Sequence, residues 1–406
     1  MTVAEREELL GEEDDEDDDE NLMINDKNNE ESGKDPILQT IGDFGPYQFF
    51  ICAVGYFVTI PHCWISLSLK FVGMRTNFTC ADHFTPNISF DESCVGQDQE
   101  KCLNFIFDQS QFRSTIHQRW NLVCDQEGMD SIAQSVFFSG CLIGVFLSGV
   151  LADIYGRKPV FFSLVAGVVI FGVMGGITSS FYTWLVLRFL LGASAIGMIT
   201  VRFTIQVEMV GSKWRTWGNM TGALGWSSGY MLLPVIVYLI PDMKQLEVFI
   251  ALCFLPFIGL YWIQPESPKW LLSVGRIDEA EKIVERISYW NNKPFKETHV
   301  PGLLSILQFP NIGRNILCMS FSWFSVGLVY YGIALHTPEF GSNVYMVFFL
   351  AGLMEIPANF ISPYLMNRFG RKRLMIVGFV FTSGSLLLAA VIPHGMFAKE
   401  RNSFII

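Results

Sequence analysis

Nine runs of predominantly apolar residues divide the chain, at about 46 to 69, 131 to 151, 160 to 179, 182 to 209, 217 to 239, 247 to 264, 313 to 335, 343 to 366 and 373 to 392. A helix rises about 1.5 Å per residue, so roughly 20 apolar residues cross the hydrocarbon core of a bilayer. Runs of this length and regularity predict an all-α polytopic membrane protein. The polar positions between them carry a second pattern. Gly149-Val150-Leu151-Ala152-Asp153-Ile154-Tyr155-Gly156-Arg157-Lys158 forms a charged turn between the second and third runs. Asn367-Arg368-Phe369-Gly370-Arg371-Lys372 stands between the eighth and ninth, so Gly156-Arg157-Lys158 maps onto Gly370-Arg371-Lys372. Each copy sets a glycine, which permits a tight turn, before basic residues that are costly in lipid and mark one side of the membrane.

Composition sharpens this picture. Half of the residues (50%) are hydrophobic and 17% are charged, against about 25% charged in an ordinary soluble domain. Much of the net charge of -11 comes from the unbroken acidic run Glu12 to Glu20. Such a block cannot bury apolar surface, and residues 1 to 43 are expected to be a disordered, solvated cytoplasmic tail. No cleavable signal precedes the first run, which is therefore expected to act as an uncleaved anchor.

Lys and Arg set the orientation. Arg157-Lys158, Lys213-Arg215, the segment Lys269 to Arg286 and Arg368 to Arg373 all fall on one side if the N-terminus is inside. Residues 70 to 130 then form a large extracellular loop. It holds the sequons Asn77-Phe78-Thr79 and Asn87-Ile88-Ser89, both expected to carry glycans, and Cys80, Cys94, Cys102 and Cys124. Four cysteines outside the cell imply two disulfides, with three connectivities that remain open. A third sequon at Asn219 lies at the inner end of the fifth run and should stay unmodified. Cys52, Cys63, Cys141, Cys253 and Cys318 lie in apolar runs and read as small buried hydrophobes. After the sixth run, Ile277, Ala280, Ile283, Val284 and Ile287 recur at helical spacing. Residues 265 to 312 are therefore expected to be a cytoplasmic linker with an amphipathic helix. It separates a six-span bundle, 44 to 264, from a second group of spans, 313 to 406.

Several segments together resemble the major facilitator superfamily. They are the Asp153 turn, Arg188-Phe189-Leu190-Leu191-Gly192, Glu208-Met209-Val210-Gly211 and Pro265-Glu266-Ser267-Pro268-Lys269-Trp270. The cysteine-rich loop ending Trp120-Asn121-Leu122-Val123-Cys124-Asp125, and the segments Asp35-Pro36-Ile37-Leu38 and Gly42-Asp43-Phe44-Gly45-Pro46-Tyr47-Gln48, resemble its organic cation, anion and zwitterion transporter family. The resemblance covers about residues 35 to 406. It implies two six-span bundles, so a chain stopping after the ninth span is expected to be a fragment or truncated product with an incomplete second bundle. It also implies a gate, in which Asp153, Gly156 and Arg157, with Arg371 from the second copy, hold the bundles together on the cytoplasmic side and release them as they rock. Asn367 replaces the acid of the second copy.

Ionisable residues at mid-membrane depth are expensive and mark substrate paths. Glu355, within Leu353-Met354-Glu355-Ile356-Pro357-Ala358, is the clearest, and it resembles the family's eighth-span acid; Pro357 is expected to bend that helix. Trp323 and Tyr330 lie seven apart on one face of the seventh run and, with Tyr331 and His336, resemble the cation transporters' aromatic wall, whose faces attract alkylammonium groups. Arg202, deep in the fourth run, would pair with an acid such as Glu355 or receive a substrate carboxylate. His62, after Pro61, reads as a kink residue. These groups point to amine-bearing solutes, organic cations or zwitterions such as carnitine or β-alanine conjugates, crossing the plasma membrane by alternating access. An organic anion transporter and a non-transporting interaction protein are the alternatives, and the coupling ion stays open. No metal-ligand cluster, nucleophile elbow or phosphate loop appears, so neither an enzyme nor a cofactor nor a nucleic-acid partner is expected.

Overall fold

The computed structural model describes residues 41–74, 76–81, 94, 102, 104–110, 113–126, 128–211, 214–292, 311–336 and 344–391, with the backbone alone at 311–317, 334–336 and 389–391. Most of the tail expected over 1 to 43, Asn87, and the residues after 391 lie outside that set.

Nine long helices fall on the nine apolar runs. They are α1 (Pro46–Leu67), α2 (Met129–Tyr155), α3 (Arg157–Ile177), α4 (Phe181–Met209), α5 (Arg215–Leu239), α6 (Met243–Leu252, continued by short turns to Trp262), α7 (Asn311–His336), α8 (Val344–Phe369) and α9 (Arg371–Val391). Among the described residues, α1 to α6 and α8 are long and apolar enough to cross a membrane, whereas the apolar stretch described in α7 is Cys318–Ile333. The ninth helix opens on three basic residues, Arg371, Lys372 and Arg373.

Two expectations change. The charged turn is far tighter than Gly149 to Lys158: α2 stays helical to Tyr155, and Gly156 alone separates it from α3. Gly156 has φ +103° and Gly370, between α8 and α9, has φ +83°, a region where a Cβ clashes with the backbone. The two copies are therefore the same one-residue hinge. The sixth span, expected as one run from 247, begins at Met243, where Asp242 accepts hydrogen bonds from the backbone of Lys244 (2.9 Å) and Gln245 (3.1 Å). It breaks after Leu252 because Pro256 has no N–H to donate and disfavours helix just ahead of it. In contrast, α8 runs unbroken through Pro357 and Pro363.

Lipid offers no hydrophobic drive between helices, so close packing through small residues takes its place. Gly140 and Gly144 of α2 lie directly on the backbone of Phe189 and Ala193 of α4. Gly225 of α5 does the same against Tyr56 of α1. Helix α3 packs on α4 and α6, and α8 packs on α5. The second group of helices meets the first through Phe71 and Phe348 (4.7 Å), Tyr230 and Phe348 (5.3 Å), and Phe138 and Tyr331 (4.9 Å between ring centroids).

At one end of the bundle, β1 (Phe78–Cys80) pairs antiparallel with β2 (Phe105–Phe107). Of the three open connectivities the structure has Cys80–Cys102 and Cys94–Cys124. The helix Ile116–Trp120 fastens this segment to the α3–α4 turn. Arg119 donates to the carbonyls of Gly176 (3.3 Å) and Thr178, and Trp120 Nε1 to that of Ser179 (2.7 Å). At the opposite end lie the linker helices Pro268–Ser273 and Ile277–Trp290. The second buries Ala280, Val284 and Ile287, the stripe its spacing predicts, while Ile277 stays exposed. Asn291 after it accepts from Tyr47 N (3.1 Å) and donates to Ile41 O (2.7 Å), tying the linker to the start of α1.

Candidate functional site

Two clusters of polar side chains stand out, one at the linker end and one at mid-depth. At the linker end, the one-residue hinge places Asp153 and Arg157 one helical turn apart in sequence, with their side chains 2.9 Å apart. The guanidinium also reaches Glu208 at the end of α4, through Nη2 at 3.2 Å and Nε at 3.3 Å. The start of α3 carries its own anion: Glu266 Oε1 accepts from the backbone N–H groups of Arg157 and Lys158, both at 3.0 Å. A carboxylate there neutralises the positive end of the helix dipole. Trp270 Nε1 closes the cluster by donating to the Asp153 carbonyl at 2.9 Å. Glu208 and Glu266 stand in the segments that carry the family resemblance, and the structure gives each a role as a partner of Arg157. Their signal is spacing: each is an acid at a helix end on the side where Arg157 lies.

The resemblance implied that Asp153 and Arg157 join the two bundles. In this structure every partner of Arg157 belongs to the first six helices or the linker, and Arg371 is exposed without an ion pair among the described residues. The halves instead meet between mid-depth and the disulfide end, where Phe71 and Phe348 touch.

At mid-depth, Glu355 of α8 lies between three helices. Tyr330 Oη of α7 donates to Glu355 Oε1 at 2.7 Å, and Ser227 Oγ of α5 donates to Oε2 at 2.9 Å. Trp226 Nε1 donates to Tyr330 Oη at 2.7 Å, and Asn359 Nδ2 to Ser227 Oγ at 2.9 Å. The His62 ring lies 5.9 Å from that of Trp226, and Tyr56 Oη shares a 2.9 Å hydrogen bond with Ser228. Trp226, Ser227 and Asn359 are residues that sequence reasoning missed, because apolar periodicity does not say which helices are neighbours. Glu355 is therefore held by neutral donors, with no cationic partner among the described residues.

Of the other expected site residues, the structure brings neither to Glu355. Trp323 is 71% exposed. Seven residues keep it on the Tyr330 face, but they also carry it about 10 Å along the helix, away from the ring contacts that join the halves. Arg202 is buried at 7% exposure and donates to Gln206 Oε1 at 2.6 Å rather than to an acid. A second buried charge pair joins α4 to α6. Arg188 Nη2 meets Glu247 Oε1 at 2.6 Å, and Trp184 Nε1 donates to both Glu247 oxygens at 3.1 and 3.2 Å. An ionisable residue inside an apolar run is the signal that singled out Glu355, and it applies equally to Glu247.

Residues 126–400 match the family described as Major Facilitator Superfamily. An organic cation transporter-like protein of Drosophila melanogaster is 28% identical over 423 residues, covering 90% of this chain and 75% of that protein. Solute carrier family 22 member 16 of Xenopus laevis is 31% identical over 293 residues, 68% of this chain and 52% of the relative. The chain thus spans about three quarters of one relative's length and about half of the other's. Among solved structures, the E. coli xylose transporter XylE in a partially occluded inward open conformation has a TM-score of 0.53 at 15% identity, over 82% of this chain and 76% of that one. At that identity the likeness is one of fold. Such relatives are solute transporters rather than enzymes, and with the family match covering well over half of the sequence, the chain belongs to the Major Facilitator Superfamily, in its organic cation, anion and zwitterion transporter family.

Proposed function

We propose that the protein carries small amine-bearing organic solutes, cations or zwitterions such as carnitine, across the plasma membrane by alternating access, with Glu355 receiving the ammonium group. The observation that carries this reading is the Glu355 carboxylate at mid-depth, oriented by Tyr330 and Ser227 and lacking a counter-cation among the described residues. A carboxylate at that depth is costly unless a cation joins it. The rings of Trp226 and Tyr330, 6.4 Å apart, add aromatic faces beside it. Cation–π contact with an alkylammonium contributes about 0.5 to 2 kcal/mol for each well-placed ring.

Because Glu355 is hydrogen-bonded from α5 and α7 at once, a solute binding there touches both groups of helices, as alternating access needs. The disulfide end then faces outward with a glycan on exposed Asn77, and the linker end faces the cytosol. The Arg157 cluster, joined to no residue of α7 to α9 among the described residues, engages the second half when the linker end closes. Uptake of labelled tetraethylammonium and carnitine into vesicles holding the protein, with and without Glu355→Gln, tests the reading. Loss of both fluxes is expected, and undiminished uptake by the variant contradicts it.

A further inference from the structure

Arg202 is a guanidinium in the interior of the first bundle, and among the described residues no carboxylate lies within ion-pair distance of it. Its one side-chain partner is Gln206, whose Oε1 takes a hydrogen bond from Nη1 at 2.6 Å. Arg202 Nε and Gln206 Nε2 are both buried with no acceptor in reach. These two donors are left without a protein acceptor.

The surrounding helices make room for these groups. A Cβ on Gly55 of α1 would overlap Arg202 Nη1, and one on Gly222 of α5 would stand 3.1 Å from Nη2. A Cβ on Gly218 would stand 3.3 Å from Gln206 Nε2. Gly55 and Gly222, on two helices, thus border the guanidinium, where larger residues would push it aside, and Gly218 borders the amide of its partner Gln206. A buried charge in low dielectric needs a partner, and donors without acceptors are rare in folded interiors. An anion with a single charge supplies both at once.

The register of α5 relates this place to Glu355. Gly222 faces Arg202 and Ser227 holds Glu355, and five residues of helix rise roughly 7 to 8 Å. One helix thus carries, on its flanks, a place for a cation and a place for an anion about a turn and a half apart.

We propose that Arg202, with Gln206 beside it and Gly55, Gly218 and Gly222 around it, binds a small monovalent anionic group, either the carboxylate of a zwitterionic solute or a free halide. The carboxylate case rests on Glu355 receiving the ammonium; the halide case stands without it.

Thermal unfolding of the detergent-purified chain tests this in two arms. In the first, sodium chloride, bromide and acetate are compared with sulfate at equal ionic strength. In the second, carnitine is compared with choline, which lacks the carboxylate. A ligand at about ten times its Kd raises the midpoint by about 2 °C. If the site takes free anions, chloride, bromide or acetate produces such a rise in the wild type and not in Arg202→Met. If it takes the substrate carboxylate, carnitine raises the midpoint more than choline in the wild type, and the two are equal in Arg202→Met. Either result supports the site and identifies the source of the anion. Glu355→Gln separates the two readings: it abolishes the choline shift if the ammonium site is right and leaves the anion arm intact. Because both comparisons are first made on the wild type, a misfolded Arg202→Met does not spoil the test. No anion dependence together with equal carnitine and choline shifts in the wild type overturns the proposal.

Discussion

Ser227 on α5 donates a 2.9 Å hydrogen bond to Glu355 on α8, so one carboxylate oxygen is held by the first six helices while the other is held by Tyr330 of α7. The acid is therefore a junction as well as a charge. A neutral hydrogen bond contributes about 0.5 to 1.5 kcal/mol net. Ser227→Ala is accordingly expected to weaken binding of a quaternary ammonium by about 2- to 10-fold, measured by equilibrium binding to the purified protein. Tyr330→Phe should do the same, and it also leaves Trp226 Nε1 without its acceptor.

The hinge cluster separates two acids of different worth. Asp153 is 74% exposed at the side chain and Glu208 only 16%, yet both contact Arg157. An exposed pair contributes little, whereas a buried carboxylate that loses its cation is strongly penalised. Arg157→Ala should therefore lower turnover and the thermal midpoint together. Asp153→Asn should reduce turnover with a stability change within about 0.5 kcal/mol. Uptake at equal surface density, paired with unfolding curves, checks the order.

Arg188 and Glu247 form the most buried ion pair described, with side chains 4% and 8% exposed. Removing one partner strands the other, so Glu247→Gln or Arg188→Met is expected to destabilise by about 3 to 5 kcal/mol. The double substitution should cost less than the sum of the two, and a double-mutant cycle measured by unfolding reads that coupling. Additive effects would show that the two side chains do not act as a pair.

Topology is tested by glycosylation. Asn77 is exposed beside β1, on the end of the bundle that carries the disulfides. Glycosidase treatment should shift the gel mobility of the wild type and leave the Asn77→Gln, Asn87→Gln double variant unmoved.

The helices were legible because the apolar runs are long: eight of the nine expected starts lie within about three residues of the observed ones, a span short of one turn. The exception is α6, which starts four residues ahead of its apolar run because the polar Lys244 and Gln245 in its first turn carry no apolar signal. Capping by Asp242 makes it helix. The Gly156 hinge was legible as a turn but not as a single residue, since Asp153 and Tyr155 look polar enough to leave a helix and instead end one. Half of the central site was legible. Glu355 announces itself as an acid in lipid, and Tyr330 as an aromatic on the same side of the bundle. Their partners Trp226 and Ser227 lie more than 100 positions away in sequence, and only the packing of α5 on α8 brings them together. Trp323 shows the limit of periodicity, which gives the face of a helix but not the depth at which a neighbour covers it.

The central claim is that Glu355 is the receptor for a substrate ammonium. Its most direct test is equilibrium binding of tetraethylammonium to the purified protein, wild type against Glu355→Gln, with a lipid-reconstituted sample to guard against detergent effects. Glutamine keeps the size and one acceptor oxygen while removing the charge, so the account predicts a loss of at least about 10-fold in affinity, or about 1.4 kcal/mol, with little change in the unfolding midpoint. Equal affinity in the two proteins would contradict it and leave Glu355 a structural acid at the junction of α5, α7 and α8.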